Sequence, residues 1–532
     1  MPTSENASPT VATAVVDALL DCGIDTMFGI GGTHTLTLLG AIERRPELRY
    51  VSARTEVGAT AMAVGYARAT GRAAAVLTST GPGALNALSE LADARWASLP
   101  LLHVTTSIGE ATFAAAVHET PEQSDLMAMV GKACVTVPDG PGADVAGAVA
   151  RAVALAMSPP CGPVTLDLRV GTLADPAPVS SPGRVVADPL DLDPRELVPL
   201  AEALDAARRP VLYVGGGALR GDDGASVRAL AAVLGAPIVT SYQGKTVADG
   251  TFDGYLGPWA GEQGVRALFA EADLAVVLGA KLSASGTDAW RLPLPGPGYR
   301  VDLAPAHHRH YPELRPITAD VGAAARWLTK ILTPRPAWAD DQVRTIRADV
   351  VAAARGRGPV EMGYVDALAT AEGLPRLLTY DMSKGAFWAE KYLPGPPGSV
   401  QAVSSYLAMG TALPMAIGMS VATGEPVLSI LGDGGLQMSI AELATLAELR
   451  LPVTLVVLVD HAYGLLRDNG RFVAGSENVG VALWNPDYVK LAEAYGIECR
   501  TLQDAGDLQQ IMDKPAEGPR LLLLTEGFSR TW

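Results

Sequence analysis

The stretch Pro426-Val-Leu-Ser-Ile-Leu-Gly432-Asp433-Gly434-Gly435-Leu-Gln437, followed by Leu451-Pro-Val-Thr-Leu-Val-Val-Leu-Val459-Asp460-His461-Ala462-Tyr463-Gly464, decides the fold. Its first apolar run is short, bounded and β-branched, so it reads as a buried strand. Gly434 and Gly435 then open a helix whose free N–H groups suit a phosphate. Asp433 beside them is a hard oxygen ligand for the magnesium such a phosphate carries. A second buried strand ends at Asp460, 27 positions on. Ligands of parallel strand–helix–strand units gather at the carboxyl ends of the strands, so both aspartates are expected to face one crevice. The expectation is a diphosphate held through a metal. Gly-Asp-Gly alone is also an ordinary strand-to-helix turn, so the rest of the chain has to decide.

Further segments elsewhere in the chain bear on this. Tyr50-Val-Ser-Ala reads as a short strand, and Arg54 to Gly71 as a helix packed through small residues. Glu56 lies at the start of that helix, where the dipole tolerates an acid. A dry setting pushes a carboxyl towards its neutral form, so Glu56 can share a proton with a ring nitrogen. An acid there also serves as a plain cap. Farther on stand Thr80-Gly81-Pro82-Gly83-Ala-Leu-Asn86 and Ala408-Met409-Gly410-Thr-Ala-Leu-Pro414.

These motifs, in this order across nearly the whole chain, resemble the thiamine diphosphate (ThDP) enzymes. The resemblance implies an α/β protein of three doubly wound parallel-sheet domains: pyrimidine-binding (1–175), middle Rossmann-like (190–333) and diphosphate-binding (358–532). It implies that Glu56 pairs with the cofactor's pyrimidine and that Gly81, Pro82, Gly83 and Asn86 line it. Met409 props the bent cofactor, and the Leu407 carbonyl receives its aminopyrimidine. The resemblance also makes Ser383, Lys384, Gly432, Asp433, Gly434, Gly435, Asp460, Tyr463, Gly464 and Leu465 cofactor-binding. Mg2+ takes oxygens from Asp433, Asp460 and the Ala462 carbonyl. The chain departs from the family in having Val459-Asp460 where Asn-Asn is common, which adds negative charge beside a diphosphate. In this family the two cofactor halves come from different subunits, so a homo-oligomer is implied, a dimer or a dimer of dimers.

Composition sets limits. A chain of 532 residues has room for about three domains, and a formal net charge of −16 argues against nucleic acid and anionic membrane as partners. No apolar run has the length of a membrane span, and no basic-then-apolar leader opens the sequence. Cys22, Cys134, Cys161 and Cys499 are scattered, as expected of reduced thiols in a cytoplasmic protein. Pro, Ser and Asp crowd residues 171–189 into a linker.

The middle unit opens with Gly215-Gly216-Gly217 after a strand, which is not the dinucleotide pattern. Acetolactate synthases carry FAD in this domain, with arginines that are missing after Ala272-Asp273-Leu-Ala-Val-Val-Leu-Gly279. No FAD, and a colourless protein, are therefore expected.

Proton-handling side chains are needed besides the cofactor. His118, in Val117-His118-Glu119-Thr120-Pro121, stands where acetolactate synthases carry an active-site Gln, and Lys132 where they carry Lys. His34, in Gly31-Gly32-Thr33-His34, stands where a benzaldehyde-lyase-like branch carries His. Imidazole titrates near neutrality and suits a shuttle, while a backbone-bonded loop histidine is the plainer role for each. His103 reads as a strand residue, and His307, His308 and His310 as a solvated loop. Pyruvate-decarboxylase-like enzymes carry a catalytic acid just after the metal segment; here Leu465 and Leu466 form an apolar wall. Such a wall favours trapping by a second carbonyl over simple protonation. Arg467 to Gly475 reads as a lid bearing an arginine for a carboxylate. The expected activity is acetolactate-synthase-like carboligation or decarboxylation of a 2-keto acid with an acceptor carbonyl. Cleavage without ligation (a benzoylformate-type decarboxylase, acyloin lyase or cyclic-dione hydrolase) is the alternative. A non-catalytic nucleotide-binding scaffold would have no need of Glu56.

Overall fold

Short runs of Val, Leu, Ile and Ala, most of them buried on both faces, form three parallel sheets in the computed structural model. It describes residues 9–108, 122–140, 142–178, 180–185, 192–305, 307–395, 398–470 and 479–525. The first sheet has β1 (Thr26–Gly29), β2 (Arg49–Ser52), β3 (Ala74–Leu77), β4 (Leu101–Ser107), β5 (Ala133–Thr136) and β6 (Pro163–Arg169), ordered β2-β1-β3-β4-β6-β5. The second has β7 (Pro210–Val214), β8 (Ile238–Thr240), β9 (Leu274–Leu278), β10 (Gly298–Asp302) and β11 (Leu314–Thr318), ordered β11-β10-β9-β7-β8. The third has β12 (Leu377–Tyr380), β13 (Val400–Val403), β14 (Val427–Gly432), β15 (Val453–Leu458), β16 (Glu498–Leu502) and β17 (Arg520–Leu524). Its order, β13-β12-β14-β15-β17-β16, repeats that of the first sheet strand for strand. The three parallel α/β units expected from the strand and helix pattern are present.

Six helices position the site: α1 (Glu56–Thr70), α2 (Leu88–Ala97), α3 (Lys384–Tyr392), α4 (Ala412–Thr423), α5 (Asp433–Ser439) and α6 (Gly464–Gly470). Helix α1 starts under a Thr55 cap, whose hydroxyl accepts from the Gly58 N–H, and stops at left-handed Gly71. It lies directly against α4. A Cβ on Gly65 would collide with the Met415 carbonyl, and one on Gly418 with the Met62 carbonyl. Glycine is required at both because the two backbones touch. One apolar core therefore runs unbroken from Phe28 and Met62 of the first unit to Met415 and Leu431 of the third. A second core joins Phe269 of the middle unit to Trp388 and Leu428 of the third. Buried Lys245 from the middle unit donates to the Ala389 and Glu390 carbonyls at 3.1 and 2.6 Å, placing a cation on the C-terminus of α3.

Polar groups are also buried where the first and third units meet. Asp93 on α2 accepts from Ser404 Oγ at 3.1 Å and from the Tyr406 N–H at 2.7 Å. Glu90, one turn earlier, is buried beside it, and burial, followed by the Asp93 charge, pushes its carboxyl up to about 8.

Two outcomes follow for stability. Gly418→Ala forces α1 and α4 apart and costs about 1–3 kcal/mol. Gly356→Ala, where a new methyl meets nothing within 4 Å near the end of a helix, is neutral or stabilising; thermal melts of the two variants should move in different directions. Glu90 is held above its ordinary carboxylate value, so its contribution is full below about pH 4.5 and is lost as pH rises towards about 8. The melting temperature of Glu90→Gln should accordingly decline less than that of the parent protein over this range.

Candidate active site

Register sets the cluster at the edge of the third sheet. Gly432 at the end of β14 pairs with Leu458 of β15, so Asp433 and Asp460 emerge side by side at the carboxyl edge of the third sheet. Asp433 is 1% exposed; its Oδ1 accepts from the Gly434 N–H at 2.8 Å, and its Oδ2 from the His461 N–H at 2.8 Å and Asn485 Nδ2 at 2.7 Å. Burial pushes this carboxyl up, the Asn485 hydrogen bond opposes the shift, and the negative charge of Asp460 adds to it. The expected free N–H of Gly434 is thus occupied, because α5 begins at Asp433 itself and the side chain folds onto the next amide.

Asp460 is held by cations: Arg467 at 2.8 Å and the buried Lys384 at 3.5 Å, with Asp468 a further 3.5 Å partner of Lys384. Arg467, read from the sequence as part of a lid aimed at a substrate carboxylate, lies in helix α6 and pairs with the chain's own Asp460. The lid's remainder, 471–475, lies outside the described residues. His461 is left-handed (φ 52°), a costly backbone for a non-glycine residue, and it sets the turn into Ala462. The Ala462 carbonyl accepts from the Gly464 N–H at 2.9 Å and keeps a second lone pair. The small residues here are spatially required. A Cβ on Gly434 would meet the Tyr463 ring at 2.7 Å, one on Gly435 the Asp381 carboxylate at 2.8 Å, and one on Gly464 would collide with Asp460. Ser383 caps α3, its Oγ accepting from the Ala386 N–H at 3.2 Å, and stands against Gly432. Leu465 is half-buried on α6, and Leu466 is exposed.

A second cluster forms around Glu56 at the first position of α1. Asn86 Nδ2 donates to Glu56 Oε2 at 3.1 Å, and Glu56 Oε1 faces Gly83, where a Cβ would sit 3.4 Å away. Pro82 begins the short helix that ends at Asn86, after left-handed Gly81. Ser79 touches both Gly83 and Gly32, which brings the loop of His34 against this same turn. His34 itself is half-buried in a 3₁₀ turn. Met409 is half-buried, and Leu407 is left-handed (φ 63°) and 57% exposed. Both lie in a segment held at each end. Asp381 accepts from the Gly410 and Ala412 N–H groups at 3.1 and 3.2 Å, and Asp93 holds Ser404 and Tyr406.

His118 lies outside the described residues. Lys132 donates to the Leu155 and Ser158 carbonyls at 2.8 and 2.7 Å and to the Pro160 carbonyl, so it closes the end of another helix. His103 is fully buried in β4 between Thr78 and Thr165, and burial pushes it down to about 4, leaving it neutral. Among the described residues no group of three or more His, Cys, Asp or Glu side chains forms a metal cluster; His310 stacks on Trp290 instead. In the middle unit, Gly217 donates to the Gly279 carbonyl at 3.0 Å, so the glycine turn is packed on its neighbouring strand end.

Several supporting residues escaped the sequence reasoning. Gln123 accepts from the Gly81 N–H at 2.7 Å, Asn485 braces Asp433, Asp381 clamps the Met409 segment, and Glu442 reaches the start of α1. Asp381 alone carried a visible signal, an acid directly after a strand.

The donor chemistry fits the implied group. Two neighbouring carboxylates and a carbonyl offer hard oxygens to a divalent ion. Glu56, with one oxygen fixed by an amide, offers the other to a heterocycle. Family comparisons agree. Residues 9–129 match the thiamine pyrophosphate enzyme N-terminal TPP-binding domain, 197–328 its central domain and 381–525 its C-terminal TPP-binding domain. The chain is 32% identical, over 96% of its length and 92% of the relative's, to the Pseudomonas aeruginosa protein named "Probable 2-ketoarginine decarboxylase AruI". It is 29% identical to an acetolactate synthase of Mycobacterium bovis, over 94% of this chain and 85% of that one. The solved Rhodococcus jostii RHA1 thiamine diphosphate-dependent 4-hydroxybenzoylformate decarboxylase shares its fold, with a TM-score of 0.79, 22% identity and coverage of 98% and 100%. No helix among the described residues is long and apolar enough to cross a membrane. With both cofactor-binding domains and the central domain present in one chain, the protein belongs to the thiamine pyrophosphate (thiamine diphosphate) enzyme family.

Proposed function

We propose that the protein is a Mg2+-dependent carboligase that cleaves a 2-keto acid with loss of carbon dioxide and joins the acyl unit to an acceptor carbonyl. What supports this reading is that one chain carries Asp433, Asp460 and the Ala462 carbonyl at one strand edge, and Glu56 hydrogen-bonded by Asn86 at the start of a helix. Bound ThDP supplies the carbon nucleophile and the electron sink for breaking a carbon–carbon bond.

The chain's own residues do the rest. Asp433, Asp460 and the Ala462 carbonyl hold the ion. Lys384 and Arg467 offset the charge that Asp460 adds. With ThDP bound, Glu56 would hold or give up a proton towards the cofactor's ring nitrogen, its carboxylate oriented by the hydrogen bond from Asn86. Half-buried Leu465 keeps water and protons from the reacting carbon, which favours an acceptor carbonyl; Leu466 is 55% exposed and is not part of that wall. His34, and His118 beyond the described residues, serve as proton carriers on the substrate side.

The two halves meet across a homodimer in this reading. Exposed apolar side chains flank each half in one chain: Leu36, Val57 and Trp96 on one side, Tyr406, Met438 and Trp484 on the other. A dimer that buries them would also bring Glu56 of one copy to Asp433 of the other. The protein is expected to be cytoplasmic and without FAD.

Plain decarboxylation is the second reading, favoured by the name of the 32% identical Pseudomonas relative. Incubation with pyruvate or 2-ketoarginine, with and without aldehyde and ketone acceptors, followed by mass analysis of products, separates the two. Ligated product supports the first, and carbon dioxide with free aldehyde alone supports the second. Glu56→Gln should reduce turnover by about 10²–10⁴-fold while ThDP still binds; full turnover in that variant removes Glu56 from the chemistry. Chelation of divalent ions should release ThDP, and added Mg2+ should restore it. The purified protein should show no flavin absorbance.

A further inference from the structure

We propose that Glu442 and Asp93 are a reciprocal pair of positioning residues, each reaching from one cofactor-binding unit to hold the segment that the other unit presents to the cofactor. Glu442 belongs to the third unit and is 0% exposed. Its Oε1 accepts from the Thr55 N–H at 2.9 Å, Thr55 Oγ1 at 3.0 Å and the Arg54 N–H at 3.1 Å, and its Oε2 accepts from Thr445 Oγ1 at 2.9 Å. All but the last of these donors lie in the two residues before Glu56. The Thr55 hydroxyl passes the cap on, accepting from the Gly58 N–H at 2.9 Å. Gly58 is glycine because a Cβ there would run into Glu442. A carboxylate from the diphosphate-binding unit therefore fixes the first turn of the helix on which Glu56 stands, where N–H groups lack helical partners and favour negative charge.

Asp93 is the mirror case. It belongs to the first unit, is 0% exposed, and holds Ser404 Oγ and the Tyr406 N–H. Ser404 Oγ in turn accepts from the Ala408 N–H at 2.8 Å. The left-handed Leu407, whose strained backbone persists only if its surroundings enforce it, sits inside this loop. Met409 follows it. The first unit thus shapes the prop contributed by the third, and the third shapes the acid contributed by the first. In the dimeric arrangement proposed above, on which this inference rests, Glu56 and Met409 of one chain serve different cofactors. The two carboxylates then couple the geometry of the two sites through the α1–α4 seam.

Reach and charge are separated by two variants. Glu442→Gln keeps the length and one acceptor oxygen; Glu442→Asp keeps the charge but withdraws the oxygens. The aspartate variant should weaken ThDP binding tenfold or more and lower kcat by a similar factor, with faster amide hydrogen exchange confined to residues 54–58. The glutamine variant should lose less than threefold. Asp93→Ala should speed exchange at Tyr406 and Ala408 and weaken ThDP binding, and Asp93→Asn should largely restore both. A Glu442→Asp protein with normal exchange, affinity and kcat overturns the proposal, as does a glutamine variant as impaired as the aspartate one. The exchange measurement needs no cofactor, so if the native protein failed to bind ThDP the assigned function would fall while the bracing of these segments was still decided.

Discussion

Two carboxylates held side by side at a strand edge impose the central constraint on this molecule. Parallel pairing of β14 with β15 leaves Asp433 and Asp460 no route apart, since the register that buries both strands also delivers both acids to one edge. Like charges at that separation raise each other's proton affinity unless a cation or donor intervenes. The structure answers with N–H groups and Asn485 around Asp433, and with Lys384 and Arg467 around Asp460. What remains is an oxygen-rich pocket rim whose residual negative charge suits a divalent ion. The glycine at 464 follows from the same crowding, because a methyl there would strike Asp460 and Lys384, while one on Gly434 would meet the Tyr463 ring and one on Gly435 the Asp381 carboxylate.

The first and third sheets share one strand order, yet they contribute different chemistry. One supplies a carboxylate at the start of a helix, the other carboxylates at the ends of strands. Their contact through Gly65 and Gly418 is close enough that the two units share a single apolar core. This intimacy permits Glu442 and Asp93 to act across the boundary. Buried carboxylates are costly unless hydrogen bonds satisfy them. Glu442 receives its donors from backbone amides and hydroxyls, so its burial becomes a source of rigidity instead of strain.

The sequence showed the strand ends clearly. The β-branched runs before Asp433 and Asp460, the small-residue helix after Glu56 and the Gly81-Pro82-Gly83 turn are all local patterns, and the structure places each where its pattern implied. Residues that act through long-range contacts were not legible. Gln123 meets Gly81 across 42 positions and Glu442 meets Thr55 across 387, and neither carries a local mark of its partner. The repeated strand order was invisible too. It is a property of hydrogen-bonded topology, and the two units keep it with different side chains.

Asp460 in place of the family's common Asn illustrates how a single charge is absorbed. Asp460 and Asp468 bring two negative charges, and Lys384 and Arg467 bring two positive ones, so the cluster adds no net charge at the diphosphate end. Lys384 is 4% exposed, in a setting where Coulomb forces are stronger than in water and where removing one member of a buried pair costs about 3–5 kcal/mol. The extra carboxylate and the buried lysine are therefore best understood as one unit. With a carboxylate at 460, Lys384 and Arg467 both keep an ion-pair partner inside the cluster, and an amide there would remove the partner that they share.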